Sequence, residues 1–357
     1  MRVLQVIDSL AAGGAENMAV RIANALVDEV EFSGLVVTRK GGPLQESLDS
    51  AVHYFELNRR STFDISAVRK LREICKENCI TTVHAHSSSV FIAALALLGI
   101  DGLKIVLHDH NSRLDERRVL LTRIAGKIAD SVIAVSIDIA DWNIRAGVSP
   151  EQISVIPNFI DINKNVEAPA TDIPGVQGRR VVAVANIRPV KNHLRLIRAF
   201  REVVVEIPDA HLILVGSLAD GEHTKSVQQL ILSCDLGDSV SLLGTRTDVP
   251  EILAASDIGV LVSLAEGFPV ALIEYGLAGL PVVTSAVGQI SEVTNGGTLA
   301  RLVAPEDEAA IASAILALLG TESGRELAES FQQSVLDRYT SKSVIPLLLE
   351  VYSEAGS

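Results

Sequence analysis

A chain of 357 residues is long enough for two domains that each bury a core, and its 48% hydrophobic residues with only 4% aromatics suit parallel sheets covered by helices. The formal charge of −13 excludes a nucleic-acid footprint, which demands a basic face, and the longest apolar run, residues 90–100, is too short to span a bilayer. Cys75, Cys79 and Cys234 are too few for a disulfide framework and lack the partners of a metal site, so reduced thiols and a cytoplasmic setting are expected.

The chain starts on a strand, Val3-Leu4-Gln5-Val6-Ile7-Asp8, with no charged leader before it. Gly13-Gly14 follow, then an amphipathic helix to about Val27. Strand, glycine turn and helix let backbone N–H groups approach a phosphate with no Cβ in the way. The spacing is not G-x-G-x-x-G, which weakens any reading as a nicotinamide dehydrogenase. Further strands are predicted at 32–38, 52–55, 82–84, 105–108 and 131–135, with helices at 64–78, 90–98 and 114–128.

His108-Asp109-His110-Asn111 falls just past a strand's C-terminal end, where open α/β sheets place ligand groups; a structural role stands beside that reading. Arg113 to Lys127 nets +3 among leucines. Such a helix can lie on anionic lipid, at about 1 kcal/mol per cation, or simply carry a solvated basic face. Residues 1–165 hold 18 Lys and Arg against 20 Asp and Glu, so the first half is less averse to anions than the second. Ile153 to Asn158 reads as the last strand of a domain spanning 1–165. Pro169, Pro174, Gly175 and Gly178 then mark a linker at 166–179.

A second series, 180–335, repeats the pattern with strands at 180–185, 211–215, 239–243, 258–262 and 282–284. After its first strand stand Arg188 and Lys191, cations that could neutralise a diphosphate at the strand's C-terminal edge. After its fourth strand comes Glu266-Gly267-Phe268-Pro269-Val270, with Glu274 further along a helix. Pro269 suits the first helical turn, and the N–H groups near Gly267 and Phe268 make a seat for an anion. A carboxylate beside a phosphate repels it, so Glu266 and Glu274 fit neutral hydroxyls, as on a sugar or a ribose. The plainer alternative makes Glu266 a cap and Glu274 a solvated helix residue.

Together these residues resemble the retaining glycosyltransferase family 4, two-domain enzymes of the GT-B fold. The likeness runs through Gly13-Gly14-Ala15-Glu16, Ile156-Pro157-Asn158, Arg188-Pro189-Val190-Lys191-Asn192, Val249-Pro250-Glu251-Ile252-Leu253, the E-x7-E pair Glu266 and Glu274, Gly279-Leu280-Pro281-Val282-Val283 and Gly288. It implies two Rossmann-like α/β domains facing each other across a cleft, with a C-terminal helix in 336–357 crossing back to the first. By the same resemblance Gly14, with Gly13, faces the donor phosphates, and Lys191 with Arg188 holds the diphosphate. Glu266 touches the transferred sugar, Gly267 and Phe268, followed by Pro269 in the same donor-binding stretch, offer backbone N–H groups to the donor, and Glu274 binds the ribose. His110 lies near the reacting sugar, and the base packs near Gly244 to Val249.

One departure stands out: Ala185-Asn186 occupies the place of a glycine-arginine pair, and Arg188 is the expected substitute. The implied activity is transfer of a sugar from a nucleoside-diphosphate sugar, with uridine as the default base, to a hydroxyl of a glycan or polyprenyl-linked acceptor. Neither a cofactor nor a metal is expected, and no Asp-x-Asp motif is found. A peripheral contact with an anionic membrane at its inner face is the expected location. A sugar-nucleotide epimerase on the same fold, or a catalytically silent binding subunit, are the alternatives.

Overall fold

The computed structural model describes residues 1–11, 13–61, 64–110, 119–161, 170, 172–218 and 220–354. The chain divides into two compact units, Met1–Asp161 with Thr340–Ser357, and Ile162–Tyr339.

The first unit alternates β1 (Arg2–Ser9), α1 (Gly14–Ala25), β2 (Phe32–Lys40), β3 (His53–Glu56), α2 (Ile65–Glu77), β4 (Thr82–His86), α3 (Val90–Leu97), β5 (Lys104–Asp109), α4 (Val119–Ile128), β6 (Ser131–Ala134), α5 (Ile137–Ala146) and β7 (Ile153–Val155). Its seven strands pair in the order β3-β2-β1-β4-β5-β6-β7, all parallel. Short runs of β-branched residues form these strands because both faces are covered. On one face Leu4, Val6, Val83, Ala85, Ile105 and Leu107 pack with α2 and α3.

The second unit contains β8 (Arg180–Val184), α6 (His193–Glu206), β9 (His211–Val215), α7 (Gly221–Ser233), β10 (Val240–Gly244), α8 (Val249–Ala254), β11 (Ile258–Leu261), α9 (Val270–Leu277), β12 (Val282–Ser285), α10 (Ile290–Val293), β13 (Arg301–Val303), α11 (Glu308–Leu318) and α12 (Glu322–Arg338). The strand order is β10-β9-β8-β11-β12-β13, again parallel throughout. A last helix, α13 (Ser341–Glu354), belongs to the first unit. Its Val344, Ile345, Leu348, Val351 and Tyr352 cover the other face of the first sheet, with Val3, Met18, Ile22 and Val106.

The predicted strands are all present. β13 and α5 were not anticipated: the first is only three residues long, and the second is an ordinary helix between two recognised strands. The expected boundary at residue 336 falls inside α12, which stays whole in the second unit. Of the basic segment 113–127, residues 113–118 lie outside the described residues, as do residues 166–169 and 171 of the expected linker. Cys75 is buried and Cys79 exposed, both free thiols. Burial pushes the Cys75 thiol up to about 12. No helix among the described residues is long and apolar enough to cross a membrane.

Both sheets reverse their strand order once, between β1 and β4 and between β8 and β11. Doubly wound sheets bind ligands outside the strand ends at that point, because the loops there diverge and leave backbone groups exposed. Gly13-Gly14 after β1, the Arg188–Lys191 loop after β8 and the Glu266 loop after β11 leave the sheets at these two places, whereas His110 follows β5 and Val249 follows β10.

Candidate active site

In the second unit the loop after β8 and the loop after β11 are tied together. Leu264 N–H donates to Val190 C=O at 2.8 Å, and the Asn192 amide donates to Val262 C=O at 3.1 Å and Pro305 C=O at 2.7 Å. Asn192 sits at φ 60°, a left-handed geometry that asparagine tolerates, and this turns the chain from Lys191 straight into α6. These bonds bring Lys191 Nζ to within 2.6 Å of Glu266 Oε1, and the Ser263 hydroxyl donates to the same oxygen at 2.6 Å. Glu266 retains only 8% side-chain exposure against 25% for Lys191. Reduced solvent screening strengthens such a pair.

Gly288 makes this arrangement possible. Its φ is 55°, and a Cβ there would lie 1.9 Å from the carbonyl oxygen of Glu266. Only glycine lets the chain after β12 pass so close beneath the Glu266 loop.

α9 starts at Val270, with Pro269 as the residue before its first turn rather than inside it. Val270 N–H is taken by Phe268 C=O. Glu274 lies one turn into α9. Behind it, Tyr275 is fully buried; its hydroxyl accepts from Val184 N–H at 2.7 Å and packs its ring against Gly259, locking α9 onto β8 and β11.

Arg188 is exposed and makes no ion pair among the described residues. Asn186 is exposed too, and its side-chain oxygen accepts from Ser217 N–H at 2.9 Å, so it braces the loop after β9. Val249 opens α8. Beside it Arg246 is held by Asp248 and Asp172, a cluster that sequence spacing did not reveal.

In the first unit Gly13 and Gly14 stand at the start of α1. Nothing lies within 4 Å of a Cβ built on Gly14, so the protein itself leaves open space there. The Glu16 carboxylate folds back against Gly13, at the positive end of the helix. Next to this loop Asp8 gathers Thr38 at 2.5 Å, Arg59 at 2.9 Å and Ser88 at 3.1 Å. These polar residues at the strand ends were also missed; the only sequence signal was a charged residue closing β1.

His110 lies just past β5 and is half-buried, with its Nε2 2.9 Å from His86 Nδ1. Burial holds its pKa at about 3, so the ring is neutral at physiological pH. His84, His86 and His108 share the same buried face of the sheet.

Two doubly wound units, with a cation–carboxylate pair and a helix start at the strand reversal of the second, are the architecture of the GT-B glycosyltransferases. Comparison with known proteins narrows this. Residues 12–164 match the model described as Glycosyltransferase Family 4, and residues 178–321 match the model described as Glycosyl transferases group 1. The chain is 26% identical over 316 residues to an N-acetyl-alpha-D-glucosaminyl L-malate synthase of Bacillus anthracis, covering 84% of this chain and 82% of the relative. It is 29% identical over 289 residues to a UDP-Gal:alpha-D-GlcNAc-diphosphoundecaprenol alpha-1,3-galactosyltransferase of Escherichia coli, covering 73% of each. Among solved structures, Anabaena HepE in complex with UDP and glucose has the same fold, with a TM-score of 0.79 at 23% identity over 99% of this chain and 100% of that one. The chain belongs to glycosyltransferase family 4, and its activity is glycosyl transfer.

Proposed function

We propose that the chain moves a hexose from a UDP-sugar to a hydroxyl of a glycan or polyprenyl-linked acceptor, with retention at the anomeric carbon and without a metal or cofactor. The observation that carries this reading is the Lys191–Glu266–Ser263 cluster beside the start of α9. A single lysine there can meet a diphosphate, while Glu266, freed from it, can accept from sugar hydroxyls. Glu274, on α9, is the candidate for the ribose. Arg188, exposed at the same strand end, is the second candidate cation, and Gly14 and His110 are the first unit's candidates. The Escherichia coli relative supports the donor and acceptor classes, since it uses UDP-galactose and a diphosphoundecaprenol-linked sugar.

In this mechanism the acceptor oxygen bonds to the anomeric carbon on the face from which the diphosphate departs. The bond from that carbon to the phosphate oxygen breaks, and the acceptor's proton passes to the departing phosphate. Lys191 and the N–H groups of Gly267 and Phe268, just before α9, stabilise the charge that grows there. Calorimetry with UDP, GDP, ADP and NAD tests the donor site. UDP is expected to bind tightest, with affinity falling about tenfold in Glu274→Ala as one ribose contact is lost. Preference for another nucleotide, or no binding, would refute the reading.

The acceptor class points to a lipid surface. On α4, Leu120, Leu121 and Ile124 are exposed, and the same helix carries Arg123 and Lys127. Exposed leucines beside cations are the composition of a helix that rests on anionic lipid. The protein is therefore expected to float with phosphatidylglycerol vesicles at low salt and not with phosphatidylcholine ones; Leu121→Glu should abolish flotation. Equal behaviour with both vesicles would discard the membrane contact.

A further inference from the structure

Alternation along β4 and β5 puts His84, His86, His108 and His110 on one face of the first sheet, beside Gln5 of β1. The rings form a compact block, with His84 stacked on His86 at 4.8 Å and His108 on His110 at 4.0 Å. Two hydrogen-bonded chains run through it. One goes from the Tyr352 hydroxyl to His84 Nδ1 at 2.5 Å and from His84 Nε2 to His108 Nδ1 at 3.0 Å. The other goes from Gln5 Oε1 to His86 Nε2 at 2.9 Å and from His86 Nδ1 to His110 Nε2 at 2.9 Å.

His84, His86 and His108 offer ring nitrogens within 4.8 Å of one another, the spacing of a metal site. Five of their six ring nitrogens are instead committed to hydrogen bonds of 2.5–3.0 Å with Tyr352, Gln5 and neighbouring histidines. The cluster is built for proton placement.

The polarity of the second chain follows from its first member. An amide oxygen only accepts, so His86 carries its proton on Nε2 and offers a lone pair at Nδ1. His110 must then donate from Nε2, and its own Nδ1 is left as an acceptor. That Nδ1 is buried and has no partner among the described residues. The Gln5 amide also interacts with Tyr352, and its nitrogen is buried without a hydrogen-bond partner among the described residues.

We propose that Gln5 and His86 are positioning residues for glycosyl transfer: the Gln5 amide oxygen orders the chain so that His110 is held neutral, protonated on Nε2, with its Nδ1 lone pair kept for a sugar hydroxyl. This rests on the assignment of His110 to the reacting sugar. Burial pushes His86 well below its ordinary value, which keeps the chain neutral. The titratable groups coupled to His86 are His84 and His110, with His108 and Tyr352 completing the cluster.

The test is long-range nitrogen–proton NMR on the full chain with ¹⁵N-labelled histidine, combined with steady-state kinetics. In the wild type, His110 should show a protonated Nε2 and a bare Nδ1. Gln5→Leu should mix the tautomers and lower kcat about tenfold, with the donor KM changed less than about twofold. Gln5→Glu should preserve the tautomer and move the acid limb of the kcat/KM profile up by about one pH unit, because a carboxylate favours the His86 imidazolium. If Gln5→Leu does not fold, the Gln5→Glu profile decides alone. A wild-type His110 protonated on Nδ1, an unmoved acid limb, or a Gln5→Leu enzyme that mixes tautomers at full rate would each overturn the proposal. A fully active His110→Ala would overturn the assignment of His110 itself, while the NMR pattern would still report whether Gln5 orders the chain.

Discussion

Lys191→Ala is expected to cut turnover by about 10²- to 10³-fold while leaving the second unit folded. Removing one preorganised charged donor from a developing negative charge costs roughly 3–4 kcal/mol. The loss belongs in kcat as well as kcat/KM, because the charge on the departing phosphate grows toward the transition state. Lys191 is placed for this by Asn192 and by the Leu264–Val190 bond, both backbone-anchored, so its removal leaves the loop in place.

Removing the lysine also strips Glu266 of its partner, leaving Ser263 as the donor to that oxygen. A modest drop in melting temperature should therefore accompany the catalytic loss, and Lys191→Ala with Glu266→Gln should restore the melting temperature without restoring rate. That split separates the ion pair's structural part from its chemical one. Single-turnover kinetics and thermal melts measure the two parts, and a Lys191→Ala enzyme within about threefold of wild-type turnover would remove Lys191 from the mechanism.

The second large effect is acid sensitivity of the first unit. His84 and His110 are each held at about 3, with His86 and His108 also well below the ordinary value, chiefly because burial disfavours the charged ring. In the unfolded chain each returns to about 6.5. Above that value both states are neutral and the block has no effect on the pH dependence. Below it the unfolded chain takes up protons that the folded one refuses, so stability falls as pH drops from about 6.5 toward 3.

Each such histidine removes up to about 1.4 kcal/mol per pH unit, so His84 and His110 alone account for roughly 2–3 kcal/mol between pH 6 and 5. Urea unfolding at pH 7, 6 and 5 measures the slope. His193 in the second unit, held at about 4 by burial, adds its own share, so the assignment needs His84→Gln, which should flatten the slope by about one proton. A stability that stays level from pH 7 to 5 would mean that the block is hydrated and titrates normally.

The sheets were legible because each strand is a short run of Val, Ile and Leu bounded by turn residues, and because such runs alternate with helical patterns. The Glu266 loop was legible for the same reason: a buried strand, a carboxylate and a proline mark a helix start without any tertiary knowledge. The partnership of Glu266 with Lys191 was not. These residues are 75 apart and meet only because β11 lies beside β8, a neighbour relation that periodicity does not encode.

The histidine block shows the same limit. His84-Ala85-His86 and His108-Asp109-His110 each announce two rings on one face by their spacing of two. That both faces coincide, and that Gln5 closes one chain, depends on β1, β4 and β5 being adjacent. Tyr352 meets His84 across 268 positions of sequence, a separation beyond any local pattern.

The return of α13 to the first sheet orders the birth of the molecule. Ribosomal synthesis completes Met1–Asp161 early, but the face over Val3, Val106 and His84 stays uncovered until Val344, Leu348 and Tyr352 have emerged. The second unit, continuous in sequence, can close first. The half of the protein made first is thus the half finished last, and during the interval its open apolar face is the part of the nascent chain that a chaperone would have reason to hold.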